Sequence, residues 1–464
     1  MDWLSTLPPL VAIITVLWRK EVILALFLAI LTSEILLLGG MGGGSYSGNV
    51  SDGFMGFFDS LERIVAVFSS PDNSRILVFS LLIGAFLAFI RHSGGVTALV
   101  ESLINRGFTK NRRQVGLLTT FTGIFVFIES NLSVLTSGIL SRGLFDKFGM
   151  SRARLAYIID STSAPVCILI LLNAWGAYIL ALLGNYTLEQ SPVSILWGSI
   201  PFNFYALVTL GLVFYTVLAD RVHGPMKDSD EKAAQESIHV HEFPPTHPRY
   251  MLVPLMVLIG GMISFMVWTG NGEISQGSGS KSVLYATALA ALTAYIMMLM
   301  SRKFGHRNLM TIAFEGIGEL LPLVTILLFS LALGASLKDL GTGVYIAGLA
   351  GDYLPLILIV PMLFLAGALM SFSTGTSWGT FALLIPIGVP LIQELGLPPS
   401  LVLSAILGGG IFGDHCSPIS DTTAVSAIAS GCDLLEHVRT QLPYALSAGA
   451  VTFVLYILAG FIML

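Results

Sequence analysis

Long apolar runs restrict the fold of this chain more than any other feature. Residues 76–90, 251–268, 283–300 and 445–464 contain no charged side chain. Runs of this length approach or span the ~30 Å hydrocarbon core of a bilayer. Only 11% of the residues are charged, against roughly 25% in soluble domains. Backbone groups in lipid must be hydrogen-bonded within the chain, so the spans are helices. The expected fold class is an all-α polytopic membrane protein. The opening MDWLSTLPPLVAIITVLWRKE lacks a basic n-region and a small-residue cleavage site, and reads as a first membrane segment rather than a signal peptide. Cys167, Cys416 and Cys432 show no C-x-x-C spacing, which argues against a disulfide frame or a structural zinc site. No G-x-x-x-x-G-K-[ST] occurs, so the chain carries no ATP-driven motor of its own.

The positive charge is unevenly placed. All but Arg63, Arg75, Lys281 and Lys338 of the 23 Lys and Arg fall in five clusters or at the lone Arg439, and the positive-inside rule assigns them to the cytoplasm. Residues 223–249 form the one polar linker, expected to be a solvated, mobile cytoplasmic loop dispensable for transport rather than a histidine metal site. The linker separates a first membrane repeat, 1–222, from a second, 250–464. LLIGAFLAFIRHSGG, FIESNLSVLTSGIL and DSTSAP in the first half have counterparts LLFSLALGASLKDLGTG, SFSTGTSWGTFALL and DHCSP in the second, in the same order. The loop after the first motif is basic in half one and nearly bare in half two, whereas the loop after the aspartate motif shows the reverse. This pattern predicts two inverted-topology repeats with broken helices and re-entrant hairpins, about 11–13 membrane segments in all. In transporters built this way the site lies near mid-membrane where the repeats meet.

The stretch GGGIFGDHCSPISDTT, 408–423, places glycines, acids and hydroxyls inside apolar surroundings. The glycines 408–413, with Pro418, are expected to break a helix at membrane depth, as are Pro165 beside Asp160 and Gly375 and Gly379 in the second hairpin. Broken helices free carbonyls, and carboxylates and hydroxyls add oxygen ligands suited to a small hard cation. The candidate cation and proton ligands are Asp414, Ser417, Ser420, Asp421 and Thr422 in half two and Asp160, Ser161 and Thr162 in half one. Glu129 is a further carboxylate, and Ser373, Thr374 and Thr376 line the second hairpin. Asp414, Asp421 and Asp160 are the acids expected to meet a transported metal cation. An aspartate at mid-membrane costs about 2.5–3.5 kcal/mol on insertion scales, which a bound proton or cation offsets. Helix N-capping is a competing account for Asp160 and Asp421. His415 and Cys416 are expected to pack or hydrogen-bond, since adjacent residues make a poor hydrolytic dyad. Glu34 is expected simply to reach the interface.

The segments LAYIIDSTSAPVCILILLNAWGAY, MSFSTGTSWGTFALLIPI and GDHCSPISDTT resemble the signature segments of the NhaC-type Na⁺/H⁺ antiporters of the ion transporter superfamily. The resemblance extends over most of the chain. It implies exchange of Na⁺ for H⁺ across a bacterial-type inner membrane, with Asp160, Asp414 and Asp421 at the positions of the family's acids. The family's F-x-D-D-x-x-N is replaced by Phe127-Ile128-Glu129-Ser130-Asn131-Leu132-Ser133. One acid is lost, the other is a methylene longer, and Ser133 stands for the asparagine. A Na⁺- or H⁺-coupled antiporter of malate- or lactate-type carboxylates is therefore the alternative. No cofactor and no nucleic-acid partner is expected. The expected partners are Na⁺ and H⁺ as cargo and the bilayer, with a homodimer left open.

Overall fold

The structure is a computed structural model that describes residues 3–19, 21–38, 50–95, 98, 102, 110–127, 129–232, 246–273, 277–418 and 420–463. Side chains at 16, 17, 50–53, 139, 323, 343, 347, 350 and 421 also lie outside the described residues. The described elements are all helical. Among the described residues, seven helices are long and apolar enough to cross a membrane: Pro71–His92, Arg249–Thr269, Gly279–Met300, His306–Asp339, Leu356–Thr374, Ser377–Leu395 and Leu434–Met463. The pair Pro192–Phe202 and Phe204–Leu218 is long and apolar enough to count as one more span if taken together, and is bent by 42° where Pro201 and Asn203 interrupt the ladder. The other described helices are shorter or less apolar, including Arg112–Phe125, Ser130–Lys147, Arg152–Ser161, Ala174–Gly184, Pro399–Cys416 and Asp421–Ser430.

The two halves exchange helices. Ser336 Oγ donates to Glu34 Oε1 over 2.6 Å, and the rings of Phe27 and Phe329 lie 6.1 Å apart, so Val22–Leu36 runs parallel to His306–Asp339. In the reciprocal pair Ser280 Oγ donates to Asp72, and the Phe89 and Tyr295 rings lie 6.1 Å apart, so Pro71–His92 runs parallel to Gly279–Met300. Gly84 meets Gly316 backbone to backbone, and Arg63, just before Pro71, pairs with Asp339 at 2.8 Å. Pro71–His92 and His306–Asp339 therefore cross antiparallel. Equivalent helices with opposite directions and swapped neighbours are what a two-fold axis in the membrane plane generates.

Glu34 does more than reach an interface. It is buried, and it accepts from Arg63 at 2.8 Å as well as from Ser336, tying three helices together.

Two expectations from composition are corrected. Pro399–Cys416 runs unbroken through all four glycines of 408–413. A Cβ at Gly409 would strike Phe364 O, and one at Gly413 would strike Ala368 O. These glycines allow Leu356–Thr374 to approach closely rather than ending the helix. Gly379 likewise lies within Ser377–Leu395, whereas Gly375, at φ 69°, does end its helix.

The beginning of the linker is not a loose tether either. Pro225–Lys232 is a helix whose Met226 is buried among Phe145, Met150, Leu155 and Tyr157. Its Asp230 is bonded to Arg112, Arg154 and the backbone of Ser151. Residues 233–245 lie outside the described residues.

Candidate functional site

Each half builds the same device from a helical hairpin and an interrupted helix. In half one the hairpin is Arg112–Phe125 and Ser130–Lys147, and the interrupted helix is Arg152–Ser161 followed by Ala174–Gly184. Asn173 caps the resumed helix by accepting from Gly176 N at 3.0 Å, and its Nδ2 donates to Phe127 O in the hairpin tip at 3.0 Å. In half two the hairpin is Leu356–Thr374 and Ser377–Leu395, and the interruption falls between Pro399–Cys416 and Asp421–Ser430. Ser417 Oγ donates to Phe372 O at 2.7 Å, again joining the hairpin end to the interruption. Each interruption thus sits against its own hairpin, where irregular backbone is covered by protein.

Asp414 lies at the second interruption, 1% exposed. Ser377 Oγ donates to its Oδ2 at 2.7 Å and Thr422 Oγ1 at 3.4 Å. Ser417 and Ser420 are fully buried beside it. Ser420 caps the resumed helix by accepting from Thr423 N at 3.3 Å, so the capping role considered for Asp421 belongs to its neighbour. The side chain of Asp421 lies outside the described residues. A carboxylate with two hydroxyls and a cap serine offers only oxygens, the donor chemistry of a hard cation.

Asp160 lies within Arg152–Ser161, fully buried, and does not cap a helix. Its partners come from the other half. Gln441 Nε2 donates to Oδ2 at 2.6 Å, and His437 Nε2 lies 3.3 Å from the same oxygen. Gln441 Nε2 also donates to His415 O at 3.1 Å, and His415 Nδ1 lies 3.0 Å from Tyr205 Oη. His415 thus hydrogen-bonds, as expected for it. Asp160 Oδ1, Gln441 Oε1, His437 Nδ1 and His415 Nε2 are buried and have no hydrogen-bond partner among the described residues. Unfilled polar valences are uncommon in a folded interior, and four gather around one carboxylate.

The other expected residues divide clearly. Ser161 is buried and lines a crevice with Tyr157, Tyr205, His415 and Gln441. Thr162 bonds back to Ile158 O at 2.7 Å and packs against Gly123 of the first hairpin. Glu129 caps Ser130–Lys147, accepting from Asn131 N at 2.9 Å and Leu132 N at 2.7 Å. Ser373 and Thr374 bond back into their own helix, to Leu369 O at 2.8 Å and Met370 O at 3.0 Å. Thr376 precedes Ser377–Leu395 without a side-chain cap bond. Among the described residues no three His, Cys, Asp or Glu side chains converge in a metal-holding group. Asp160 and Asp414 hold separate partners, joined through the 414–415 backbone and Gln441.

Ser377, His437 and Gln441 were missed in the sequence. Ser377 directly follows the quoted Gly375-Thr376. His437 and Gln441 stand four apart, on one face of the polar first turns of a long helix.

The sequence matches the model of the Na⁺/H⁺ antiporter family over residues 166–461. An uncharacterized protein of Haemophilus influenzae is 30% identical over 98% of this chain and 91% of its own length. The malate-2H⁺/Na⁺-lactate antiporter of Bacillus subtilis is 35% identical over a segment covering 36% of each chain. In fold the chain is similar to the YdaH transporter of Alcanivorax borkumensis, with TM-score 0.60, 15% identity and coverage of 90% of this chain and 91% of that one. With its spans, paired hairpins and interrupted helices, this multi-pass membrane chain belongs to the Na⁺/H⁺ antiporter family.

Proposed function

We propose that the chain exchanges Na⁺ for H⁺, with Asp414, Asp421 and Asp160 as the carboxylates that cation and proton occupy in turn. The observation that carries this reading is the matched placement of Asp160 and Asp414, both buried beside helix interruptions in the two halves. A carboxylate in such a place is stable when neutralised, and a proton or a cation does this equally in kind. Competition for one site is exchange. The hydroxyls of Ser377 and Thr422 favour Na⁺ at Asp414. Residues 1–222 and 250–464 are the two inverted repeats in this reading. The linker faces the cytoplasm and the protein resides in the inner, plasma membrane.

The partial match to a malate/lactate antiporter favours a second reading, in which an organic carboxylate replaces one of the ions. One assay separates the two. The purified chain is reconstituted in vesicles under a pH gradient, and Na⁺, malate or lactate is added in turn. Dissipation by Na⁺ alone, lost in Asp414→Asn, supports the first reading. Dissipation that requires the organic anion supports the second.

A further inference from the structure

Helix Pro225–Lys232 touches both elements that bring Asp160 and its partners together. Ser151 caps Arg152–Ser161, its Oγ accepting from Arg154 N at 3.1 Å, and its own N–H donates to Asp230 Oδ1 at 2.7 Å. Asp230 Oδ2 receives Arg112 at 3.0 Å and Arg154 at 3.4 Å. Arg154, whose side chain is 2% exposed, also reaches Asp220 at 2.9 Å and Thr216 O at 2.8 Å. One residue before Asp230, Ser229 Oγ donates to Glu436 Oε1 at 2.6 Å. Glu436 adjoins His437 on Leu434–Met463. On the same helix Tyr444 Oη accepts from His223 N at 2.7 Å, and its ring lies 4.6 Å from that of Tyr157. Successive residues of one short helix thus grip the helix that carries Asp160 and the helix that carries His437 and Gln441.

We propose that Asp230, assisted by Ser229, is a positioning residue for the exchange site, which rests on the reading that Asp160 belongs to that site. Ser151 and Asp160 are joined by a single helix about 14 Å long at 1.5 Å per residue. A tilt at the cap is therefore delivered to the carboxylate. Misplacement of about 1 Å is enough to lower a reaction rate on the order of a hundredfold. The grip sets the registry of Asp160 against His437 and Gln441 while contacting none of them.

The test uses the full chain in proteoliposomes, with Na⁺-driven proton movement as readout. The variants are Asp230→Asn, Ser229→Ala, Gln441→Ala, the Asp230→Asn/Gln441→Ala double and Asp160→Asn. Asparagine retains an acceptor for Ser151 but removes the charge facing Arg154 and Arg112. Asp230→Asn should insert normally and lose roughly tenfold in maximal exchange rate, as supporting residues typically do, with apparent Na⁺ affinity changed less. The double variant should be no slower than Gln441→Ala alone, because both act on one geometry. Parental exchange by Asp230→Asn, or losses that multiply in the double variant, overturns the positioning role. If Asp230→Asn inserts poorly, Ser229→Ala decides by the same two measures, its double being made with Gln441→Ala. Asp160→Asn distinguishes the two claims: normal exchange there overturns the site reading itself. A dead Asp160→Asn beside a parental Asp230→Asn overturns the positioning role only.

Discussion

Gln441, on the last helix, donates a 2.6 Å hydrogen bond to Asp160, in the first half of the chain. The same amide nitrogen reaches His415 O at 3.1 Å, so one side chain joins Asp160 to the residue after Asp414. Gln441→Ala should insert normally and slow exchange tenfold or more, since residues that orient a working carboxylate typically matter by about 10–100-fold. Gln441→Asn, shorter by a methylene, should recover little. Initial rates of Na⁺-driven proton movement in vesicles check this, and a parental rate for Gln441→Ala would remove the residue from the site.

Ser377 is predicted to set cation affinity. Its hydroxyl lies 2.7 Å from Asp414 Oδ2, and a hydrogen bond to a charged group contributes about 1.5–3 kcal/mol. Ser377→Ala should weaken apparent Na⁺ affinity about ten- to a hundredfold at a given pH. Ser373→Ala, whose hydroxyl returns to its own helix, should lose much less. Exchange rates over a Na⁺ titration decide, and equal losses in both variants would contradict the placement.

At the crossing of the two central helices, Gly84→Ala should lower stability by about 1–3 kcal/mol, the usual effect of overpacking. The added Cβ would press on the Gly316 backbone, whereas Gly318→Ala meets nothing within 4 Å and should be tolerated. Thermal unfolding in detergent compares the two. Equal melting temperatures would show that the crossing yields.

Cys432 lies in the turn before the last helix, outside the spans. Burial, with Glu436 and Asp433 nearby, pushes its thiol up to about 12. Only the thiolate reacts readily, so maleimide labelling at pH 7–8 should be slow and rise with pH. Removing a neighbouring negative charge lowers the thiol's affinity for its proton, so Glu436→Gln should speed labelling. Mass spectrometry of the modified chain at several pH values reads this out. Fast, pH-independent labelling would refute it.

Much of the fold was legible because hydrocarbon leaves the backbone few options: apolar runs become spans, and repeated motifs with opposite charge bias become paired halves. Asp160 and Asp414 were legible because isolated acids stand out in greasy sequence. Ser377 was hidden among Ser373, Thr374 and Thr376, since which hydroxyl faces Asp414 depends on where the second hairpin helix begins. His437 and Gln441 were hidden by distance along the chain. The glycines of 408–413 misled because a glycine that ends a helix and one that admits a neighbouring helix look alike in one dimension. The docking of 225–232 was obscured by a charged composition, yet one aspartate among those charges meets the buried Arg154 and the partly exposed Arg112.

The meeting of Gly84 and Gly316 sets bare backbone against bare backbone where Pro71–His92 crosses His306–Asp339. Side chains that interlock hold helices to one angle, like teeth in a gear. Two bare surfaces set only how near the helices come, so which helix meets which is decided by the side chains around the crossing, Arg63 with Asp339 among them. A side chain added at that point would part the two helices and loosen the ties that Arg63 and Ser336 make to Glu34.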